Sequence, residues 1–522
     1  MAHATLTGHA GRFLNARWRA TTRTDQAPFV DHLEPRSFWL DEALRIDPGA
    51  PCPPLRGDLS ADVCIVGAGF SGLWTAYELG ERDPSLEIVL VEADICGAGG
   101  SGASGGVFDP GWPSILGLCQ VLGETEGLRY LSALAAQTRE LQEWCARHQA
   151  NIAFHEEGMV FMRAAEWQPE PDRASVDFLA AHGLGDKLRI LDTDALRRIA
   201  AVPGALGGLY CADVATVQPG RLARELRRVL LERGVRIFEA TPMTGLRSGK
   251  PVQVVTPQGT VRAQQVVITT GACAVGLPAF RRALCPVVHS MVITEPVPDL
   301  LAEIGWQSHT GLGDSRNVFF YARRTDDGRV AIGGGSVGIV YDSRVGGALD
   351  PRAPGRPVSR ALTSLAGAQI AAEGLLWLFP QLRGVRFAHA WTGILDVTAA
   401  FLPFFVSSPD RNVHAGLGFS GHGLAPTKLG SKTLASLVLQ TRDEWATLGV
   451  VGPPMSTMPP EPLRWLLTHS LASAITRNDL GRQRGRGGTA RGRLAEKLLV
   501  RYRGSRRPRP AGHAVRADYS GR

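Results

Sequence analysis

The chain has 522 residues, 44% hydrophobic and 20% charged, enough apolar material for two packed domains, which excludes a disordered chain or a small disulfide scaffold. No apolar run is long enough to cross a bilayer and no leader-like pattern opens the sequence, so a soluble, cytoplasmic protein is expected. The net charge of +8 is concentrated at one end: residues 477–522 hold 14 Lys/Arg against 3 Asp/Glu, which leaves residues 1–476 mildly acidic.

That basic tail is expected to be solvated, with contact to nucleic acid or anionic lipid as the alternative. The eight cysteines are never closer than 12 positions, and neither CxxC nor HExxH occurs. Reduced thiols and no metal site are therefore expected. Glycine (61) and proline (34) are in excess, which calls for many turns or close backbone approaches.

Residues 1–57 show no sustained period and end in Asp47-Pro48-Gly49-Ala50-Pro51-Cys52-Pro53-Pro54, which is incompatible with a helix or a central strand. They read as an arm whose Ser37-Phe38-Trp39-Leu40 cluster packs on the body or opens a short helix. From Ala61 to Val66 an apolar strand leads into Gly67-Ala68-Gly69-Phe70-Ser71-Gly72. A helix follows, with Phe70, Leu73, Ala76 and Tyr77 on its apolar side, and Asp83-Pro84 stops it. A second strand, Glu87 to Val91, ends at Glu92.

This context turns a weak glycine pattern into a dinucleotide-binding βαβ unit. Gly67 permits the tight turn, Gly69 lets the backbone approach a pyrophosphate, and Gly72 allows close helix–strand packing. The helix start at Phe70 and Ser71 offers amide donors and positive partial charge to phosphates. Glu92 is placed to accept the ribose hydroxyls. The next segment, Cys96 to Gly106, includes Gly99, Ser101, Gly102, Ser104, Gly105 and Gly106. Such a run suits main chain pressed against a flat, extended ligand, with the serines as donors, and distinguishes FAD from NAD. Gly102-Ala103-Ser104-Gly105-Gly106 also fits the G-x-S-x-G nucleophile elbow, but that motif requires a strand immediately before its serine and a helix after it.

The βαβ start and glycine run resemble the FAD-dependent D-amino acid oxidase superfamily, to which glycine, sarcosine and γ-glutamylputrescine oxidases belong. The likeness spans roughly residues 37–440. Gly99 to Gly106 is similar to the family's G-A-S-G-R-N-G-G, with Ala103 and Ser104 in place of its arginine and asparagine. Thr241-Pro242-Met243 stands where the family lies against the adenine, and Thr269-Thr270-Gly271-Ala272 is similar to the A-T-G-A turn that closes over the cofactor. Gly418-Phe419-Ser420-Gly421-His422-Gly423 looks like G-F-S-G-H-G, which brings a helix start to the pyrimidine edge of the flavin.

The resemblance implies an α/β fold: a Rossmann-like FAD-binding domain of discontinuous segments (58–112, 205–275 and 389–440) and an α+β substrate domain (113–204 and 276–388) with a mixed, largely antiparallel sheet. An arm (1–57) and a C-terminal helical extension with a basic tail (441–522) flank them. It further implies oxidation of the C–N bond of an amine or amino acid to an imine, with oxygen or another acceptor reoxidising the flavin. The stretch Trp391 to Thr398 contains no cysteine, so the FAD is expected to be non-covalent. In the substrate lobe a hairpin is expected to turn at Asp327-Gly328, which puts Tyr321 and Arg323 on one face. Tyr321, Arg323, His289 and Met291 are candidate substrate contacts, Arg323 for a carboxylate, and His422 is a candidate proton or hydrogen-bond donor. A dehydrogenase of the same fold, a flavoprotein that binds nucleic acid through its tail, and a Ser104 hydrolase remain as alternatives.

Overall fold

A sheet parallel at its centre forms around the first strand, Leu59–Val66, in the computed structural model, which describes residues 30–345 and 365–504. On one side Val63 to Val66 pair with Ile88 to Val91, and on the other with Gln265 to Ile268 of strand Gly259–Ile268. Arg236–Phe238 extends the sheet beyond Ile88–Val91, and Val413–Leu417 lies parallel to Gly259–Ile268. Residues Val63 to Val66 are buried throughout because both faces are covered, which explains a continuous apolar run rather than an alternating one.

One face of this sheet, with Val63, Ile65, Leu90 and Val267, packs on helices Phe70–Arg82, Pro219–Glu232 and Leu424–Leu439. The opposite face, with Cys64, Val66, Val89 and Ile268, is covered by Val252 and Val254 of an antiparallel strand and by Phe280 and Leu284. Helix Phe70–Arg82 ends as expected at Asp83. It is buried on more sides than its apolar spacing suggests, because the helices Pro219–Glu232 and Leu424–Leu439 both flank it.

The second sheet is mostly antiparallel. Its central strand Leu284–Thr294 pairs along its length with Phe387–Thr398, and on its other edge with Val330–Gly334 and Gly338–Ile339. The hairpin Phe320–Arg324/Val330–Gly334 continues to Gly311–Asp314, which runs parallel to Met159–Met162; Gly208–Cys211 and Leu188–Leu191 complete the sheet. The hairpin turns at the expected glycine, Gly328, whose φ is +80°.

Gly208–Cys211 and Phe387–Thr398 both belong to the second sheet. An apolar strand pattern does not say which sheet the strand joins. The arm carries a helix, Phe38–Ile46, capped by Ser37 and packed against Pro219–Glu232. Two further helices, Leu463–Gln483 and Ala490–Gly504, lie toward the C-terminus; the tail beyond 504 lies outside the described residues. None of the eight cysteines is bonded to another, and no described helix is long and apolar enough to cross a membrane.

Candidate active site

Three chain segments meet at the carboxyl ends of the central strands. Gly67 has φ +103°, and a Cβ there would come within 2.8 Å of the Thr269 carbonyl oxygen. A Cβ on Gly72 would lie 1.9 Å from the Gly67 carbonyl oxygen, so that position tolerates no side chain. At Gly69 a Cβ would meet the Ser101 hydroxyl at 2.8 Å. Ser101 Oγ accepts the Phe70 amide at 2.9 Å and therefore takes one of the helix-start donors that the sequence leaves free for phosphate. The glycine run is thus docked onto the helix N-terminus by a side chain.

Glu92, half-buried at the end of Ile88–Val91, accepts the Ala68 amide at 2.7 Å and the Asp94 amide at 3.0 Å. Burial pushes its carboxyl above the ordinary range, while these amides pull it down. Each oxygen keeps a second lone-pair direction for a ligand hydroxyl. Met243 is buried in the cluster that contains Val66, Val91 and Ala274. Gly271 adopts φ +51° and faces open space, and Thr269 Oγ1 donates to the carbonyls of Val66 and Gly67.

The glycine run folds back on itself and against the second sheet. Ala103 donates its amide to the Gly99 carbonyl, and Gly102 donates to the Gly97 carbonyl at 3.0 Å, where a Cβ on Gly102 would intrude to 2.3 Å. Gly105 admits the Tyr321 ring: a Cβ there would meet Cε2 at 2.4 Å. Tyr321 Oη and His289 Nε2 form a hydrogen bond of 2.9 Å, and burial lowers the His289 imidazole to about 4, which keeps it neutral. Met291 is buried with Trp39 and Trp391, and the Trp391 indole donates to the Ala103 carbonyl.

Arg323 is tied to the glycine run. Its Nη1 donates to the carbonyls of Gly106 and Val217, its guanidinium lies 5.2 Å from the Trp39 ring centroid, and its side chain is buried. Both bonds come from Nη1, and Nε is buried without a hydrogen-bond partner. The residue clamps the exit of the glycine run. Ser104 does not stand on a nucleophile elbow, because turns precede it and the strand Val107–Phe108 follows it.

At the other end, Asp396 organises the loop before helix Leu424–Leu439. Its carboxylate accepts the Gly418 amide at 2.6 Å, and its carbonyl accepts the Ser420 amide. Burial raises the Asp396 carboxyl to about 6 despite those amides. Ser420 Oγ accepts the Thr398 amide and donates to the Gly418 carbonyl. Gly421 and His422 are exposed, and Gly423 caps the helix.

Several residues in this arrangement carry no sequence signal of their own. Asp396 sits in an ordinary strand pattern. Glu239 accepts the Cys96 amide at 2.9 Å and pairs with Arg227 at 3.3 Å, tying the glycine run to helix Pro219–Glu232. Ser37 donates to the Gly102 carbonyl at 2.6 Å. Only the paired charges of a folded chain make such residues visible.

The residues present fit FAD. Ser71 Oγ, Ser104 Oγ and Thr270 Oγ1 are buried without any hydrogen-bond partner, on the three segments that meet at the glycine turn. A buried hydroxyl left unpaired costs about 1–3 kcal/mol, so three together mark a place completed by a polar ligand. The turn suits a pyrophosphate, Glu92 a ribose, and the helix start at Gly423 the electron-rich edge of a flavin.

Comparison with known proteins agrees with this geometry. The γ-glutamylputrescine oxidoreductase of Escherichia coli is 27% identical over 74% of this chain and 86% of its own length. The sarcosine oxidase subunit beta of Rhodobacter capsulatus is 21% identical over 76% of this chain and 90% of its own. Among solved structures, glycine oxidase from Geobacillus kaustophilus superposes with a TM-score of 0.58 at 21% identity, covering 74% of this chain and 96% of that one. L-amino acid deaminase from Proteus vulgaris gives 0.61 at 18%, covering 76% and 97%. The sequence pattern of the FAD dependent oxidoreductase family, DAO, matches residues 62–437, and the chain is a member of that family.

Proposed function

We propose that the protein holds FAD non-covalently and oxidises the C–N bond of a small amine or amino acid to an imine, with oxygen as acceptor and hydrogen peroxide as product. The observation that carries this reading is the set of unpartnered hydroxyls of Ser71, Ser104 and Thr270 around the glycine turn, beside Glu92. The family membership and the substrates named for the relatives supply the reaction class. The bound flavin supplies a two-electron acceptor for the hydride of the amine-bearing carbon, after which the released imine hydrolyses in water.

The chain's own residues bind and orient. Gly67, Gly69, Phe70, Ser71 and Gly72 grip the pyrophosphate, Glu92 accepts from the ribose, and Met243 and Gly271 bound the adenine end. Gly99, Ser101, Gly102, Ser104, Gly105 and Gly106 keep the main chain close along the ligand. Gly418, Ser420, Gly421 and Gly423, with the start of helix Leu424–Leu439, stabilise negative charge where it develops on reduction. Asp396 keeps that loop in shape.

Tyr321, held by neutral His289, presents a hydroxyl at the wall opposite Gly105 and orients the substrate amine. His422, at the exposed end of that loop, offers a hydrogen bond to the bound ligands. Arg323 acts through the glycine run it clamps, as a positioning residue. Burial drives the thiol of Cys273 up to about 12 and that of Cys96 well above its ordinary value, which makes both poor nucleophiles for a covalent flavin link.

The test is anaerobic mixing of the purified flavoprotein with a panel of amines, amino acids and hydroxy acids, followed by admission of air. Bleaching by an amine and prompt peroxide formation support the reading. Bleaching only by a hydroxy acid contradicts the C–N assignment, and slow peroxide formation with fast dye reduction contradicts oxygen as the acceptor.

A further inference from the structure

The chemistry above leaves one group of side chains unused. His155 precedes strand Met159–Met162, His309 precedes strand Gly311–Asp314, and Asp326 lies in the turn of the hairpin Phe320–Arg324/Val330–Gly334. The two imidazoles stack with centroids 3.5 Å apart and planes within 4°. Both Nε2 atoms face one carboxylate oxygen, Asp326 Oδ1, at 2.7 Å from His155 and 3.5 Å from His309. One ligand atom of each residue lies within 4.8 Å of the others.

Around a tetrahedral cation with bonds of about 2.0–2.1 Å, ligand atoms stand about 3.3 Å apart. The two His–Asp separations bracket that spacing. Two imidazole nitrogens and a carboxylate oxygen are a donor set suited to zinc, with the remaining position open to water. The parallel rings must splay for both lone pairs to converge, and the exposed side of the cluster leaves room: the Asp326 side chain is 57% exposed and that of His155 27%. Glu157 and Arg324 also face His309. Glu157 accepts the His309 amide at 2.8 Å, and Arg324 Nη1 is turned to the carbonyls of Trp306 and Gln307. Arg323 also acts on Asp326, so two acids face two bases, and the pull on a cation comes from the donor set itself.

We propose that His155, His309 and Asp326 form a binding site for a zinc-class divalent ion with a structural role. His155 exchanges backbone hydrogen bonds of 3.0 and 2.8 Å with Thr216, whose strand pairs with Val107–Phe108 at the exit of the glycine run. An ion at the cluster therefore fastens the substrate-sheet hairpin to the chain that anchors the cofactor segment. Spacing in the sequence conceals such a site, because its ligands come from three distant stretches.

The experiment is titration of untagged, chelator-dialysed flavoprotein with zinc chloride, by calorimetry and metal analysis, beside the variants His155→Gln and Asp326→Asn. Asp326 is an exposed turn residue, so its variant is expected to fold. One zinc per chain is expected, at least about tenfold weaker in either variant, with Tm raised by about 2 °C at saturating zinc in the wild type alone and flavin content equal in all three proteins. Zinc uptake undiminished in both variants, or wild-type uptake no stronger than that of Asp326→Asn, would overturn the proposal.

Discussion

The glycine turn and the substrate-facing wall treat polar groups in opposite ways. Around the turn, the hydroxyls of Ser71, Ser104 and Thr270 are buried and unpaired. On the wall, Tyr321 and His289 satisfy one another, and the Arg323 Nη1 is spent on two carbonyls. One region leaves its hydroxyls to a ligand; the other spends Tyr321, His289 and Arg323 Nη1 within the protein and leaves Arg323 Nε and Trp39 Nε1 unpaired. Damage at the turn should therefore appear first in flavin retention, and damage at the wall in stability and in handling of the substrate.

The sharpest break of that contrast is Gly72→Ala. Its Cβ would stand 1.9 Å from a backbone oxygen, so the turn must open. Flavin per chain should fall to near zero, and stability by about 3 kcal/mol, read from absorbance and chemical denaturation.

Asp396 holds the loop before helix Leu424–Leu439, and pH probes it. Its folded carboxyl is raised to about 6 from an ordinary value near 3.8, so the native state holds the proton more tightly than the unfolded chain. Its contribution is full below pH 3.8 and is lost as pH rises through 6, by about 3 kcal/mol in all. In Asp396→Asn that part of the stability–pH curve should be flat; an unchanged slope would show that another group titrates there.

Arg323→Met follows. Two carbonyls lose a charged donor, which predicts a loss of about 2–3 kcal/mol. Discrimination between carboxylate-bearing and neutral amines should not change if the residue only clamps the glycine run. A selective rise in KM for the acids would instead make it a substrate contact. The smallest effect belongs to Tyr321→Phe, which leaves a neutral His289 nitrogen unpaired: about 1–2 kcal/mol, unchanged flavin content, and a rise in KM.

The same contrast decides what could be read in advance. Gly67, Gly72 and Gly102 are legible because their backbone leaves no room for a side chain, and that demand is local to the sequence. The hairpin at Gly328 is legible for the same reason. Phe387–Thr398 joins the second sheet through its partner Leu284–Thr294, about a hundred residues away, a pairing no local pattern announces. Arg323 looks like any candidate for a carboxylate until Trp39, Gly106 and Val217 close around it. Glu239 and Asp396 act by receiving backbone amides, a role that no spacing announces.

The account stands on non-covalent FAD at the glycine turn, and the most direct measurement is the chromophore released when the purified protein is unfolded. The account predicts about one FAD per chain, free of the polypeptide after precipitation. Colourless protein that takes up no added FAD, or flavin that remains on the chain, would contradict it.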